Sequence, residues 1–269
     1  MRNRELRVGL LGALVLLVLG GCASTGGGAD ITADAPAAAP KVDVKNEVGE
    51  NGLLTPAAIV ARTVEAMGGE AALRAHSSST SKGKMIIAAM GMEGELTQHA
   101  AAPDKMVMVI DTPMGSVNTG YNGEVGWSDN PMTGSSVLEG SPLTQMKQQA
   151  SFYGPLDYEE HYPSQETTEE VDFNGEMAYK VRMVDVDDNE SFLYFSKESA
   201  LLIGIQATRE EGESTVRLSK YMDFGGTKRA TVTTLEVQGM EIENVIETVI
   251  FDDVEDGAFE PPDSIKSQL

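Results

Sequence analysis

Residues that could do chemistry are few in this chain, and their spacing does not form a catalytic set. The sequence has one cysteine, Cys22, and three histidines, His76, His99 and His161. No histidine lies in the H-E-x-x-H spacing of a zinc hydrolase, and no G-x-S-x-G turn offers an activated serine. Catalytic groups work as oriented sets, so we interpret His99 and His161 as ordinary surface residues. The sequence therefore indicates a protein that is not an enzyme and that uses no cofactor.

The acidic segment that begins at Asp185 has some features of a calcium loop. Asp185, Asp187 and Asn189 place oxygen atoms at alternate positions. The sixth position is Glu190, where an EF-hand needs glycine, and the twelfth is Ser196, where it needs a bidentate glutamate. A polar turn between two strands fits these residues better, and we expect no metal site here.

Methionine is the residue type that most suggests a binding surface. The chain has 14 methionines, whereas only 6% of its residues are aromatic. Methionine is flexible and polarizable, so it packs well against apolar partners of variable shape, such as acyl chains. The alternatives are a methionine-rich core without a ligand and a tryptophan that only anchors that core. The residues predicted to line an apolar cavity are Met85, Ile87, Met106, Met108, Ile110 and Trp127.

One strand in that set is apolar at every position. The run from Met106 to Ile110 contains no polar residue. Such a run is expected of a strand that is buried on both faces. We therefore predict cover on the concave side of the sheet as well as on the convex side.

The first 21 residues have the composition of an export signal. Three arginines lie among the first seven residues, and an apolar run follows from Val8 to Leu19. That run is shorter than the roughly 20 residues that span a bilayer as a helix. The sequence therefore predicts a cleaved signal peptide over residues 1–21, with a retained transmembrane anchor as the alternative.

The end of this segment, Leu19-Gly20-Gly21-Cys22, resembles the lipobox of bacterial lipoproteins. The resemblance implies a diacylglyceryl group on Cys22, cleavage before it, and acylation of the new amino terminus. The lipid would make a membrane the first partner of the chain. Ala23 and Ser24 are not the aspartate that holds some lipoproteins at the inner membrane. The resemblance thus favours the outer membrane, facing the periplasm.

The charge of the chain excludes one class of partner. The formal net charge is −22 at pH 7. So acidic a surface repels phosphate backbones, which argues against nucleic acid. A salt-tolerant habitat would explain the same acidity equally well.

After Cys22 the sequence divides into a linker and one domain. Residues 22–53 are rich in glycine, alanine and proline, and such a composition cannot offset its ordering entropy by burial. Residues 54–269 form a single domain. A first helix is predicted from Pro56, with Thr55 as its N-cap and Gly68-Gly69 at its end, followed by further turns up to Ala75.

Most of the remaining sequence predicts strands and turns. A second helix is expected over 141–152, with Ser141 as N-cap. Asn122-Gly123 and Asn174-Gly175 are signals of type I′ hairpins. The predicted strands are 82–92, 93–101, 105–112, 116–121, 126–130, 167–173, 178–185, 191–196, 201–209, 213–224, 228–237 and 240–252. The fold class is α+β and mostly β: a curved antiparallel sheet that forms an unclosed barrel, with two or three helices over its mouth.

Several of these segments are similar to the superfamily of the periplasmic lipoprotein carrier LolA and its outer-membrane receptor LolB. Residues 57–74 resemble the opening helix of such domains. Tyr121-Asn122-Gly123 with Gly126-Trp127, and then 130–134, resemble their first long hairpin. Residues 221–226 and 251–262 resemble their late strands and tail. The resemblance covers about residues 54–265 and implies an apolar cavity inside the curved sheet that shields acyl chains.

Three hypotheses follow for the activity. The first is a membrane-anchored, non-enzymatic binder or carrier of lipid or lipoprotein acyl chains in the bacterial envelope. The second is a structural lipoprotein of the envelope, with a filled core and a protein partner. The third is a hydrolase whose serine, histidine and carboxylate come together from distant positions. A continuous apolar cavity would favour the first hypothesis over the second.

Overall fold

The computed structural model describes residues 44–209 and 212–269. The predicted signal peptide, Cys22 and most of the predicted linker lie outside the described residues. Within the described part of the chain, no helix combines the length and the apolar composition needed to cross a membrane.

In this part of the chain, two helices have 11 residues each, and three consist of about one turn. The predicted first cap is confirmed, since the backbone N–H of Ala58 donates to Thr55 Oγ1 at 3.2 Å. The second cap differs from the prediction. Ser141 Oγ accepts a bond from Asn189 Nδ2 at 3.3 Å instead, so this side chain serves a tertiary contact. The helices are α1 (Pro56–Ala66), α2 (Glu70–Leu73), α3 (Gly140–Ala150), α4 (Tyr158–His161) and α5 (Asp263–Lys266).

Thirteen strands form one antiparallel sheet in the described residues. They are β1 (Ser78–Ile87), β2 (Met92–Ala101), β3 (Lys105–Thr112), β4 (Gly115–Tyr121), β5 (Gly126–Asn130), β6 (Gly134–Val137), β7 (Ser164–Phe173), β8 (Glu176–Val184), β9 (Glu190–Ser196), β10 (Leu202–Arg209), β11 (Gly212–Phe224), β12 (Thr227–Val237) and β13 (Met240–Phe251). The strand β6 was not predicted, because Gly134–Val137 is short and lacks apolar alternation.

The order of the strands divides the sheet into two wings. It runs β6-β5-β4-β3-β2-β1-β13-β12-β11-β10-β9-β8-β7. Every neighbouring pair of described strands is adjacent in sequence except β1 and β13, which join the wing β1–β6 to the wing β7–β13. The sheet does not close, because β6 and β7 remain its two edges. The predicted fold class is confirmed.

The first predicted strand is divided by a turn. Residues 82–92 were expected to be one strand, but β1 ends at Ile87 and β2 begins at Met92. Ala88–Met90 form a 3-10 turn, and Gly91 follows with a φ of 60°. Glycine adopts this left-handed conformation without steric cost, so the chain reverses there.

The main core lies where the two wings and α1 meet. It includes Met108 and Ile110 from one wing, Leu193 and Val216 from the other, and Ile59 from α1. A smaller cluster covers the opposite face of β3, as the apolar run of that strand predicted. There Val107 packs with residues of the C-terminal segment that ends in α5.

Candidate apolar ligand site

Four of the six residues predicted to line a cavity lie together in the main core. Met85, Ile87, Met108 and Ile110 belong to one cluster, and none of them is more than 4% exposed. Antiparallel register explains the grouping. Side chains on a strand alternate between the two faces, so Met108 and Ile110 point to the same side of the sheet.

Met106 and Trp127 lie elsewhere. Met106 is on the same face of β3 as Met108 but packs under α3, with Tyr121 and Met146. Trp127 is fully buried in the cluster on the opposite face, and its indole N–H donates to Asn118 Oδ1 at 2.8 Å. The structure therefore does not bring Trp127 to the same surface as Met85 and Ile110.

A pocket of about 50 Å³ opens at one end of the wing β1–β6, and we call it the methionine pocket. Its walls include Met85, Ile87 and Ile110 from the predicted set. Further methionines that were not predicted to line a cavity also line it: Met90, Met92, Met114 and Met132. The pocket therefore brings five methionines to one surface next to the main core.

Three of these methionines form an exposed rim around the pocket. Met90 is 49% exposed, Met114 is 51% exposed and Met132 is 55% exposed. They lie in the turns that follow β1, β3 and β5. Successive strands of an antiparallel meander alternate in direction, so the turns after every second strand meet at the same end of the sheet. The topology thus places three flexible apolar side chains at the mouth of the pocket.

Two polar residues in the core behind the pocket have side-chain atoms without a hydrogen-bond partner. Gln98 is 2% exposed, and neither its Nε2 nor its Oε1 makes a hydrogen bond. Asn244 Oδ1 is unpartnered as well. A buried polar group without a hydrogen-bond partner destabilises the protein by about 1–3 kcal/mol. A ligand with an ester or amide group could supply the missing hydrogen bond and restore this stability. The sequence signal for Gln98 was a polar residue between Leu96 and Ala100 at a core-facing position.

A surface groove of about 620 Å³ lies along α1 rather than inside the sheet. Val60 and Val64 form its apolar side, but Glu65, Glu70 and Glu159 also line it. With three carboxylates and Lys45 in its lining, this groove is less suited to an acyl chain than the methionine pocket.

Histidine, serine and carboxylate do come together at the junction of β1 and β13. Asp252 Oδ2 lies 2.7 Å from His76 Nδ1, and Ser77 Oγ lies 3.3 Å from Asp252 Oδ1. The serine thus donates to the carboxylate and not to the imidazole, so the histidine does not activate it as a nucleophile. The Ser77 backbone N–H and then His76 lower the pKa of Asp252 to about 2. This cluster ties the start of β1 to the end of β13.

The other two histidines are half-buried rather than on the surface. Burial lowers the pKa of His99 and of His161. His99 Nδ1 lies 3.0 Å from Thr80 Oγ1. In residues 44–209 and 212–269, no group of three histidine, cysteine, aspartate or glutamate side chains is arranged to hold a metal.

The segment at Asp185 forms the expected polar turn. Asp185 Oδ1 accepts backbone N–H bonds from Asp187 and Asn189, each at 2.9 Å. A side-chain oxygen that accepts bonds from the residues after it is the usual stabilising contact of such a turn.

Comparison with solved structures identifies the fold. A LolA superfamily protein from Nitrosomonas europaea matches at a TM-score of 0.55 and 12% identity, over 77% of this chain and 98% of that one. A domain from Vibrio parahaemolyticus that carries the name of an outer membrane lipoprotein-sorting protein matches at 0.51 and 12%, over 68% and 89%. A DUF1329 family protein from Desulfovibrio piger matches at 0.52 and 11%, over 75% and 94%.

Sequence comparison adds no closer relative. No protein-family model matches the chain, and no curated protein matches it significantly. At identities of 11–12%, likeness to the solved structures concerns the path of the backbone. The unclosed antiparallel sheet, the opening helix and these matches together show that the chain has a LolA-like fold.

Proposed function

We propose that this protein is a non-enzymatic binder or carrier of hydrophobic ligands, namely the acyl chains of lipids or lipoproteins, in the bacterial envelope. The observation that supports this proposal most is the methionine pocket, which leads from an exposed rim to the main core. The proposed lining is Met85, Ile87 and Ile110, with Met108 in the core behind them. The LolA-like fold is consistent with this use but does not identify the guest.

The methionine side chains also explain how a ligand could enter through so small a pocket. The pocket has a volume of about 50 Å³, which is too small for a long acyl chain. A methionine has three rotatable side-chain bonds and can move aside at little cost. Burial of the guest would then supply about 25 cal/mol per Å² of apolar surface. We therefore expect binding to widen the pocket as the rim methionines rotate outward.

The rim methionines give a direct test. We expect the triple change Met90→Gln, Met114→Gln and Met132→Gln to weaken binding by about a hundredfold or more. The reason is that an amide placed against an apolar guest costs about 1 kcal/mol or more at each position. The measurement is titration of the full chain carrying Cys22→Ser, purified without detergent, with the neutral fluorescent probe N-phenyl-1-naphthylamine.

A matched control uses exposed methionines from outside the pocket. Met177 is 48% exposed and Met222 is 56% exposed, and neither lines the methionine pocket. The pair Met177→Gln and Met222→Gln should leave the affinity unchanged. Equal affinities in the rim variant and the control variant would contradict the proposed site. Failure of the unmodified pocket to bind any probe or co-purifying lipid would contradict the function.

The small volume of the methionine pocket, about 50 Å³, is the observation that favours the second hypothesis, a structural lipoprotein without a ligand. This alternative predicts that solvent extraction of the purified chain releases no lipid. It also predicts that the unmodified chain melts at the same temperature with and without added lipid, whereas a bound lipid would raise the melting temperature. The titration above therefore separates the two functions.

We also propose that Cys22 carries the lipid that tethers the chain, at the outer membrane facing the periplasm. Residues 19–22 support this proposal, because the small residues and the cysteine follow directly on the apolar run. Cys22→Ser should abolish incorporation of labelled palmitate into the protein. Label retained by the serine variant would contradict lipidation at this position.

A further inference from the structure

A second pocket, of about 90 Å³, lies between the helical segment α3–α4 and the strands β9–β11. We call it the arginine pocket. Its floor is apolar and consists of Leu193, Ile205 and Val216, which also belong to the main core. One side is polar and includes Gln148 from α3 and Arg209 from the end of β10. Its surface thus combines an apolar floor with a fixed positive charge.

Arg209 is held in place by contacts that do not neutralise it. Its Nη1 donates to the backbone oxygens of Glu190 at 2.7 Å and Thr208 at 3.0 Å. Its Nη2 donates to Ser191 Oγ at 2.8 Å. All three acceptors are uncharged. Among residues 44–209 and 212–269, no carboxylate forms an ion pair with this guanidinium.

The Nε–H of Arg209 is buried and has no hydrogen-bond partner. A charged donor that is removed from water without an acceptor is costlier than a neutral one. The two terminal nitrogens are occupied by β9 and β10, so the orientation of the Nε–H group is fixed. The site therefore lacks one acceptor, and an anionic acceptor would satisfy both the hydrogen bond and the charge.

The neighbouring polar groups are only loosely paired. Tyr162 Oη lies 3.5 Å from Gln148 Oε1, and Gln148 Nε2 lies 3.5 Å from Asp185 Oδ2. Both distances are at the outer limit for a hydrogen bond. Burial raises the pKa of Tyr162 to about 12, so its hydroxyl remains a donor at neutral pH.

Carboxylates near the pocket could oppose an anion: Asp157 and Glu160 act on His161 of the lining, and Asp185 lies 3.5 Å from Gln148 Nε2. Asp185 Oδ1 accepts bonds from the backbone N–H groups of Asp187 and Asn189, and both oxygens of Asp185 accept from Asn189 Nδ2 at 3.1 Å. These donors compensate its charge within its own turn. Repulsion from the rest of this acidic chain is screened over about 8 Å at physiological salt. The attraction between Arg209 and a carboxylate in direct contact with it therefore exceeds the repulsion from distant acidic residues.

We propose that the arginine pocket binds the carboxylate end of a fatty acid. The Nε–H of Arg209 donates to the carboxylate, and the first methylene groups lie on Leu193, Ile205 and Val216. The volume of about 90 Å³ corresponds to roughly three water molecules, enough for the carboxylate and the first carbons. The rest of the acyl chain of the fatty acid extends out through the open side of the pocket. This inference rests on the proposed function and assigns it a class of ligand with a free acid group.

The test compares octanoate with 1-octanol, which has the same chain length but no charge. Both are titrated calorimetrically into the full chain carrying Cys22→Ser, at pH 7 and 0.15 M NaCl. We expect octanoate to bind about tenfold more tightly or better, because a hydrogen bond to a charged group is stronger than one between neutral groups. Arg209→Gln should remove this preference, so that octanoate binds no more tightly than octanol.

Arg217→Gln is the matched control. Arg217 lies on β11, next to β10, and pairs at the surface with Glu236 at 3.0 Å and Glu241 at 2.8 Å. It does not line the arginine pocket, so its replacement should leave the preference for octanoate intact. A second readout covers the case in which Arg209→Gln fails to fold. In the NMR spectrum of the protein that retains Arg209, octanoate should shift the Arg209 side-chain Nε–H resonance, and octanol should not.

Three outcomes would overturn the inference. Equal affinities for octanoate and octanol would do so, as would an unchanged preference in Arg209→Gln or an Nε–H resonance that octanoate does not move. In each case, binding of N-phenyl-1-naphthylamine at the methionine pocket would leave the proposed function standing. If that probe also fails to bind, the proposed function fails as well.

Discussion

Replacement of Gly83 by alanine is expected to cost about 3 kcal/mol or more in the free energy of unfolding. Gly83 lies in β1 opposite Ile246 of β13, at a shift in the register of the two strands. A Cβ atom at this position would lie 1.8 Å from the backbone oxygen of Val245 and 2.9 Å from Cα of Ile246. Backbone atoms cannot rotate away as a side chain can, so the two strands must separate. The measurement is urea denaturation followed by circular dichroism.

Gly257→Ala provides the control for this prediction. A Cβ at Gly257 would have no neighbour within 4 Å. We expect the alanine there to change the stability by less than about 0.5 kcal/mol, as at other unconstrained surface positions. Similar midpoints for the two variants would show that the contact between β1 and β13 is looser than the structure indicates.

Replacement of Trp127 by alanine should cost about 3–5 kcal/mol, the usual range for a buried aromatic residue. Trp127 is fully buried and packs with Val107, Phe259 and Ile265. Its removal leaves a cavity, deprives Asn118 Oδ1 of its donor, and takes away the surface that holds the C-terminal segment. Thermal denaturation of the full chain measures the loss.

Trp127→Phe separates stability from ligand binding. Phenylalanine keeps much of the apolar contact but not the indole N–H, so we expect a smaller loss of stability. Trp127 lies on the face opposite the methionine pocket, so the affinity for N-phenyl-1-naphthylamine should be unchanged. A folded Trp127→Phe variant that no longer binds the probe would show that Trp127 lines the ligand site, as predicted from the sequence.

Local signals predicted the elements of this fold well, because they depend on neighbouring residues. Thr55 and Pro56 marked the start of α1 correctly. Asn174 and Gly175 have φ values of 60° and 88°, as a type I′ turn requires. The equivalent prediction at Asn122-Gly123 was wrong about the turn. Asn122 Oδ1 instead accepts the backbone N–H groups of Glu124 and Val125 and closes a longer loop.

The candidate site could be predicted only in part, because it depends on how strands pair. Alternation along β3 placed Met108 and Ile110 on one face without further information. The face of Trp127 depends on its pairing with Gly120, whose missing side chain leaves room for the indole. The rim methionines were not predicted to line the cavity, because their meeting follows from the direction of each strand.

The arrangement of the two wings has a consequence for the order in which the protein is assembled during synthesis. Within each wing a strand meets its partner after a short loop, whereas β1 must wait for β13, more than 150 positions later. Until then β1 presents an unpaired edge, which can recruit a strand from another nascent chain. The acidic composition of the chain then reduces association between incompletely synthesised chains, because their like charges repel one another.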